Sequence, residues 1–334
     1  MQRTDRLPIG RYPTPVVHVA PLSNPQSDLW IKRDDLTHEV YGGNKVRKLE
    51  HILAGALRHG ARRLVTLGAA GSHHVLATTC FGGRAGLAVE AVLVPQAPSP
   101  HVMDVLRAAL ALGLRAFPVG SWAAAAPVVA ARVAAGARFV TVGGSSVAGS
   151  TGYVEAAREL AAQVRAGELP EPDVCVVALG SGGTAAGLAA GFEAEGMRTR
   201  VVGVCVATPR WLVRATSLLL ARACAGRAGV PPSRATLGAM RSRLRVDTRF
   251  LGAGYGLATD AGDEATRLAR DAVGLSLDPT YTAKAFASAL WHLRARQARH
   301  VLYWHTLSSA PMEPLLEGAP PPGALPPGLR RLVS

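Results

Sequence analysis

The feature that most constrains this chain is an alternation. Short, nearly continuous apolar runs recur at 64–67 (LVTL), 90–94 (EAVLV), 115–118 (RAFP), 139–142 (FVTV), 174–179 (VCVVAL), 201–206 (VVGVCV) and 300–305 (HVLYWH). Between them lie helix-length runs rich in Ala, Leu and Arg, at 101–113, 149–166, 183–195, 209–225, 263–274 and 282–297. A strand that is apolar on both faces must be covered on both, and strands separated by helices pair in parallel. Right-handed crossovers then predict an α/β architecture of doubly wound open sheets. With 334 residues, about half of them apolar, the chain can build one large domain or two smaller ones.

The ends depart from the alternation. The first 45 residues carry Pro8, Pro13, Pro15, Pro21 and Pro25, and are expected to wrap over another domain. The tail after Glu317 (GAPPPGALPPGL) is predicted to be extended or loosely packed. The Ala-rich stretch 122–136 reads as a helix of low complexity with no functional role.

Composition removes several classes. No run reaches the ~18–20 apolar residues of a membrane span. The opening MQRTDRLPIGRYPTP lacks the apolar core of a signal peptide, so a cytoplasmic location is expected. Cys80, Cys175, Cys205 and Cys224 form no CxxC pair; they are expected to be reduced core thiols, with neither a metal site nor a disulfide framework. The net charge of +14 raises the question of nucleic acid. The arginines, however, are scattered along Ala-rich helical runs, and aromatics for base stacking are few. No nucleic-acid partner is expected; the charge can instead concentrate an anionic substrate or a cofactor phosphate.

Four kinds of motif carry chemistry. In KRDDLTHEVYGGNKVRKLE (32–50), Gly42–Gly43 allows a tight turn, Asn44 stands where a helix N-cap would, and Lys45 opens the following helix. The positive end of a helix helps lower a lysine pKa, as imine formation requires. In LGAAGSHHVLAT (67–78), a strand runs into a small-residue loop and Ser72, His73 and His74 open a helix whose N–H groups can take a carboxylate. In VCVVALGSGGTAAGL (174–188), Gly180, Ser181, Gly182, Gly183 and Thr184 form an anion cradle between strand and helix; the spacing fits neither GxGxxG nor a P-loop. Tyr255 in GAGYGLATDAG and Tyr281 in LDPTYTAKAF offer hydroxyls as proton donors. The strand into VLYWHTLSSAP (301–311) supplies another possible cradle. Taken singly, each motif also fits a plainer reading: a solvated lysine, a capping serine before surface histidines, a packing turn, a packed aromatic.

Together and in this order, the segments resemble the PLP-dependent family that contains 1-aminocyclopropane-1-carboxylate (ACC) deaminase and D-cysteine desulfhydrase, within the tryptophan synthase β-like (fold type II) group. The resemblance runs from about Arg11 to about Pro311 and is most specific at KRDDLT…GGNKVRKLE, GGSS…GYVEAA (143–157), GSGGTAAGL and LDPTYTAKA. It implies two doubly wound domains: a large PLP-binding one from 1–53 and 155–334, and a small inserted one from 54–154, with PLP in the cleft between them. It implies that Lys45 holds PLP as a Schiff base and moves the α-proton. Ser181, Gly182, Gly183 and Thr184 would hold the phosphate. Asn44, His73, Thr282 and Thr306 would contact the cofactor; Ser72, His73, His74, Tyr255 and Tyr281 would face the substrate, with Tyr281, Ser72 and Tyr255 assisting catalysis. A homodimer is implied, as is a small amino-acid substrate.

Four departures bear on the substrate. Thr282 stands where ACC deaminases place Glu against the pyridine nitrogen, which points toward β-elimination of the D-cysteine desulfhydrase kind. His73 replaces the family's Asn, Gly71 stands for a Gln, and Leu307-Ser308 replaces Gly-Gly. The expected activity is PLP-dependent β-elimination giving pyruvate, ammonia and sulfide. The alternatives are an ACC deaminase or L-cysteate sulfo-lyase activity, or a divergent PLP-binding protein with another substrate.

Overall fold

The run VCVVAL divides its side chains between two cores. In the computed structural model, which describes residues 5–207, 209–231 and 233–334, Cys175, Val177 and Leu179 join one buried cluster and Val174 and Val176 another. The first packs on the helices Val147–Arg165 and Gly183–Ala194, the second on Asp260–Val273 and Thr282–Arg294. A strand with both faces buried has no polar side, which is why its sequence shows no alternation.

The chain divides into two compact units. The larger comprises Gly10–Lys48 and Ser145–Ser309. Its six-stranded sheet has the order Val16–His18, Asp28–Arg33, His300–His305, Val174–Leu179, Arg200–Cys205, Leu244–Asp247. The first pair is antiparallel and the rest are parallel. The smaller unit comprises Leu49–Gly144, Ala310–Ser334 and the described N-terminal residues up to Ile9. Its parallel sheet has the order Arg115–Pro118, Ala88–Val94, Arg63–Ala69, Arg138–Phe139. The helices His73–Arg84, Pro100–Ala111 and Trp122–Ala134 are each opened by a serine (Ser72, Ser99, Ser121) that accepts from a backbone N–H of the first turn. Relative to the expected 54–154, this unit starts at Leu49, ends its central segment at Gly144 and takes in both chain ends.

Two expectations about the ends are corrected. The N-terminal segment does not merely wrap: Val16–His18 and Asp28–Arg33 are strands of the larger sheet, and Leu29 and Ile31 are fully buried. The tail is packed, not loose. Leu325, Leu329, Leu332 and Val333 are buried, Gln96 N donates to Leu332 O (2.9 Å) and Arg107 Nε to Pro320 O (2.8 Å). Its prolines set turns between leucines that still find a core. The helix Arg234–Arg243 and the strand Leu244–Asp247 were also unanticipated.

Lys32, Asp34 and Asp35 of KRDD are buried, and they support the turn that precedes Lys45. Lys32 Nζ meets Glu159 Oε1 at 2.6 Å and Thr14 O at 2.6 Å. The Arg47 guanidinium donates to Asp34 (2.8 and 2.9 Å) and Glu159 (2.9 Å), and Tyr153 OH donates to Asp34 Oδ2 at 2.7 Å. Against the cost of burial, Arg47 holds the Asp34 carboxyl below its ordinary range. The backbone carbonyl of Asp34 accepts from Gly43 N at 2.9 Å, so this closed charge cluster fixes the glycine turn. Among the described residues no helix is long and apolar enough to cross a membrane. All four cysteines are free and buried.

Candidate active site

Lys45 follows directly from the turn. Gly43 has φ +89°, and a Cβ there would lie 2.5 Å from Thr306 O; Gly42 packs so closely on Asp35 that a Cβ would sit 2.0 Å from its carbonyl oxygen. Only glycine allows both approaches. The helix Asn44–Arg58 then begins at Asn44 itself, so the expected N-cap is its first residue. Asn44 instead ties the site together. Its backbone N–H donates to Thr306 O (3.1 Å), its Nδ2 donates to Thr184 Oγ1 (3.1 Å) and its Oδ1 accepts from Lys45 Nζ (2.9 Å). Burial lowers the Lys45 amine to about 8, with Asp278 acting in the opposite direction. A lysine near 8 carries a usable fraction of free amine at neutral pH, which an ordinary lysine does not.

The cradle lies on the same side of the larger unit. The strand Val174–Leu179 ends into Gly180, and the helix Gly183–Ala194 starts after Gly182, whose φ of +90° makes it the left-handed N-cap. A Cβ on Gly182 would meet Ser217 Oγ at 2.3 Å; one on Gly183 would meet Ser145 Oγ at 2.5 Å and Lys48 Nζ at 2.9 Å. Ser145 Oγ binds Ser181 Oγ (2.7 Å) and accepts from Gly183 N (3.0 Å). Lys48 Nζ donates to Ser145 Oγ at 3.4 Å, and burial together with neighbouring Lys45 pushes its pKa well down. Backbone N–H groups at a helix start, hydroxyls and a buried lysine beside two glycines fit a phosphate group. Ser145 and Lys48 were not singled out in the sequence. Ser145 stood in GGSS, and Lys48 reads as an ordinary helix-surface residue three positions after Lys45.

Tyr281 lies against Gly180, where a Cβ would come within 3.2 Å of its Cε1. Its hydroxyl is 2.6 Å from that of Tyr255, with the rings edge-on. Burial raises both phenols, so both are protonated at neutral pH and serve as donors. Lys284 Nζ donates to Leu251 O (2.8 Å) and Gly254 O (3.0 Å), positioning the loop that carries Tyr255.

Thr282 does not stand as an isolated hydroxyl. Its Oγ1 donates to Asp278 Oδ2 at 2.6 Å and accepts from Asp278 N at 2.7 Å. Asp278 also takes the backbone N–H groups of Thr280 (3.0 Å), Tyr281 (2.7 Å) and Thr282 (3.1 Å). A carboxylate therefore backs the hydroxyl, a partner the residue-by-residue reading overlooked. His305 Nδ1 pairs with Tyr303 OH at 3.0 Å, and burial drops its pKa to about 4, so it is neutral. In the divergent stretch, Ser308 Oγ accepts from Gly42 N at 2.8 Å. Lys45, Asn44, Ser181, Gly182, Gly183, Thr184, Tyr255, Tyr281, Thr282 and Thr306 all belong to the larger unit.

The smaller unit holds the other three residues. Ser72 caps its helix, accepting from Val75 N. His73 Nε2 is 3.0 Å from His101 Nε2. His74 is buried and its Nε2 is 3.0 Å from Thr66 Oγ1, a hydroxyl that donates to Val140 O. That is the environment of a packing histidine.

A half-buried lysine with a lowered pKa, beside an anion cradle, points to a class of protein, and comparison with known families agrees. The profile described as pyridoxal-phosphate dependent enzyme matches residues 7–306, and the chain belongs to this family of PLP-dependent enzymes. Within it, the chain is similar to the D-cysteine desulfhydrases of Salmonella paratyphi A and Salmonella newport. Each is 34% identical over 301 residues, covering 87% of this chain and 89% of the relative. Among solved structures, one described as an ACC deaminase homologue matches with a TM-score of 0.78 at 29% identity, covering 93% of this chain and 95% of that one. Threonine deaminase isoform 2 from Solanum lycopersicum shares the fold, with a TM-score of 0.61 at 17% identity, covering 91% of this chain and 81% of that one. The protein is a fold type II, PLP-dependent lyase.

Proposed function

We propose that the chain catalyses β-elimination from D-cysteine, converting D-cysteine and water to pyruvate, ammonia and hydrogen sulfide. The observation that carries this reading is the Lys45 amine, lowered to about 8 and tied through Asn44 to Thr184 of the cradle. The N–H groups from Ser181 to Thr184 and Lys48 Nζ would hold the cofactor phosphate, whose negative charge would favour the protonated form of Lys48. Asn44, Thr282 and Thr306 orient the ring. PLP, when bound, supplies the electron sink for a carbanion at Cα. Lys45 Nζ takes the α-proton. The Tyr255–Tyr281 pair, protonated on both oxygens, delivers a proton to the departing sulfur. On the family's pattern, Ser72 binds the substrate carboxylate and His73 contacts the ring and substrate; for His74, the bond to Thr66 supports a structural role. The reading includes a cytoplasmic homodimer.

A second reading, ring-opening of ACC, is supported by the likeness to the ACC deaminase homologue. Keto-acid release from D-cysteine, L-cysteine, L-cysteate and ACC separates the two. Pyruvate from D-cysteine, abolished by Lys45→Ala in a protein that stays folded, is the expected result. 2-Oxobutyrate from ACC at an equal or higher rate overturns the choice of substrate. Turnover retained by Lys45→Ala removes Lys45 from the mechanism.

A further inference from the structure

Away from the Lys45 site, the larger sheet carries a cavity of about 360 Å³, floored by Val174 and Val202. Arg200 is in register with Val174, and Val202 with Arg245. With side chains alternating along each strand, these four residues and Asp247 share one face. It is the face that the helix Thr282–Arg294 covers. The cavity begins at Val174 and Arg200, the first residues of their strands. The Gly180–Thr184 cradle follows the opposite end of the strand Val174–Leu179, so this cavity is not part of the cofactor site.

Three features of the lining point to a ligand. Arg249 is committed: it pairs with Asp247 at 2.9 Å and stacks on Trp291 with 3.5 Å between guanidinium and ring centre. The guanidinium groups of Arg200 and Arg245, by contrast, have no hydrogen-bond or ion-pair partner among the described residues. His292, on the covering helix, lines the same cavity with both ring nitrogens buried and without a hydrogen-bond partner. Buried polar atoms are nearly always paired, so an imidazole with both nitrogens uncommitted, in a cavity also lined by the exposed side chains of Arg200 and Arg245, suits a ligand that can hydrogen-bond to it.

The charges select the occupant. Three arginines against one aspartate leave two positive charges at the rim, which match the dianion of a phosphate monoester near neutral pH. Guanidinium forks bind phosphate oxygens in pairs. The valine floor suits a short organic body, and a neutral imidazole offers one donor and one acceptor to a hydroxyl on it. We propose that this cavity binds a small phosphomonoester, with its phosphate between Arg200 and Arg245 and its hydroxylated body over Val174 and Val202 against His292.

The test is calorimetric titration of glycerol 3-phosphate into the PLP-loaded protein, freed of excess PLP, in phosphate-free buffer. Saturable binding is expected, weakened about ten-fold or more in Arg200→Ala/Arg245→Ala. Cofactor absorbance should be unchanged in that variant. Arg214→Ala/Arg222→Ala removes the same charge elsewhere and should leave the affinity unchanged. No saturable binding overturns the site. So does an affinity unaltered by the first pair of substitutions or lost equally with the second. Inorganic phosphate binding as tightly as glycerol 3-phosphate overturns the role given to the valine floor and His292.

Discussion

Two groups of cations lie close together in the larger unit, and they are treated in opposite ways. Lys32 and Arg47 are enclosed by Asp34 and Glu159, with ion pairs of 2.6–2.9 Å inside the protein. Lys48 is as buried and Lys45 half-buried, but they reach a serine hydroxyl and an amide oxygen instead of carboxylates. Burial lowers the pKa of Lys32 as it does theirs, so the contrast lies in the partners. The first group is a closed scaffold. On the proposed function, the second group meets the cofactor: Lys45 its aldehyde carbon and Lys48 its phosphate oxygens. Both stem from the one motif, KRDDLT…GGNKVRK. Motif charge alone does not mark a reactive site; whether the charge is already answered within the fold does.

The comparison is broken most forcefully at the scaffold. Asp34→Ala leaves Arg47 buried with one counter-charge fewer and should destabilise the protein by about 3–5 kcal/mol, read by denaturant unfolding. A loss below about 1 kcal/mol would show that the cluster is not closed in the sense argued. On the open side, Lys48→Met should weaken PLP binding by roughly 10–100-fold, the worth of a hydrogen bond to a charged group, with little change in unfolding midpoint of the cofactor-free protein. An equal loss of apo stability would make Lys48 part of the scaffold instead.

A smaller effect comes from pH. With Lys45 at about 8, its amine is roughly a tenth free at pH 7 and mostly free above pH 9. The rate at which cofactor-free protein captures PLP should therefore rise about ten-fold per unit below pH 8 and level off above it. A rate still climbing ten-fold per unit at pH 10 would indicate an ordinary lysine.

The sequence made the parallel strands legible wherever both faces are apolar, as in VCVVAL and HVLYWH. It hid the strand DLWIKR, because Lys32 and Arg33 look solvent-facing and periodicity cannot show that Lys32 is buried against Glu159. The Pro-rich tail misled for a related reason: its helical pieces, Pro322–Ala324 and Pro327–Arg330, are single turns opened by prolines, too short to read as elements although Leu325, Leu329 and Leu332 are buried. At the candidate site, the lysine, the glycine cradle and the two tyrosines could be read from local motifs. Ser145 behind the cradle and Lys284 behind Tyr255 could not, since each acts across a contact that only the fold creates. Asp278 is a local partner, four residues before Thr282 in the same motif, and its role shows only in the hydrogen bonds of the turn.

The most direct test of the central claim is to load the protein with PLP, reduce it with borohydride and map the modified peptide. The account predicts a single pyridoxyl-lysine at Lys45. Modification at Lys48 or Lys284 instead, or a protein that takes up no PLP, would contradict it.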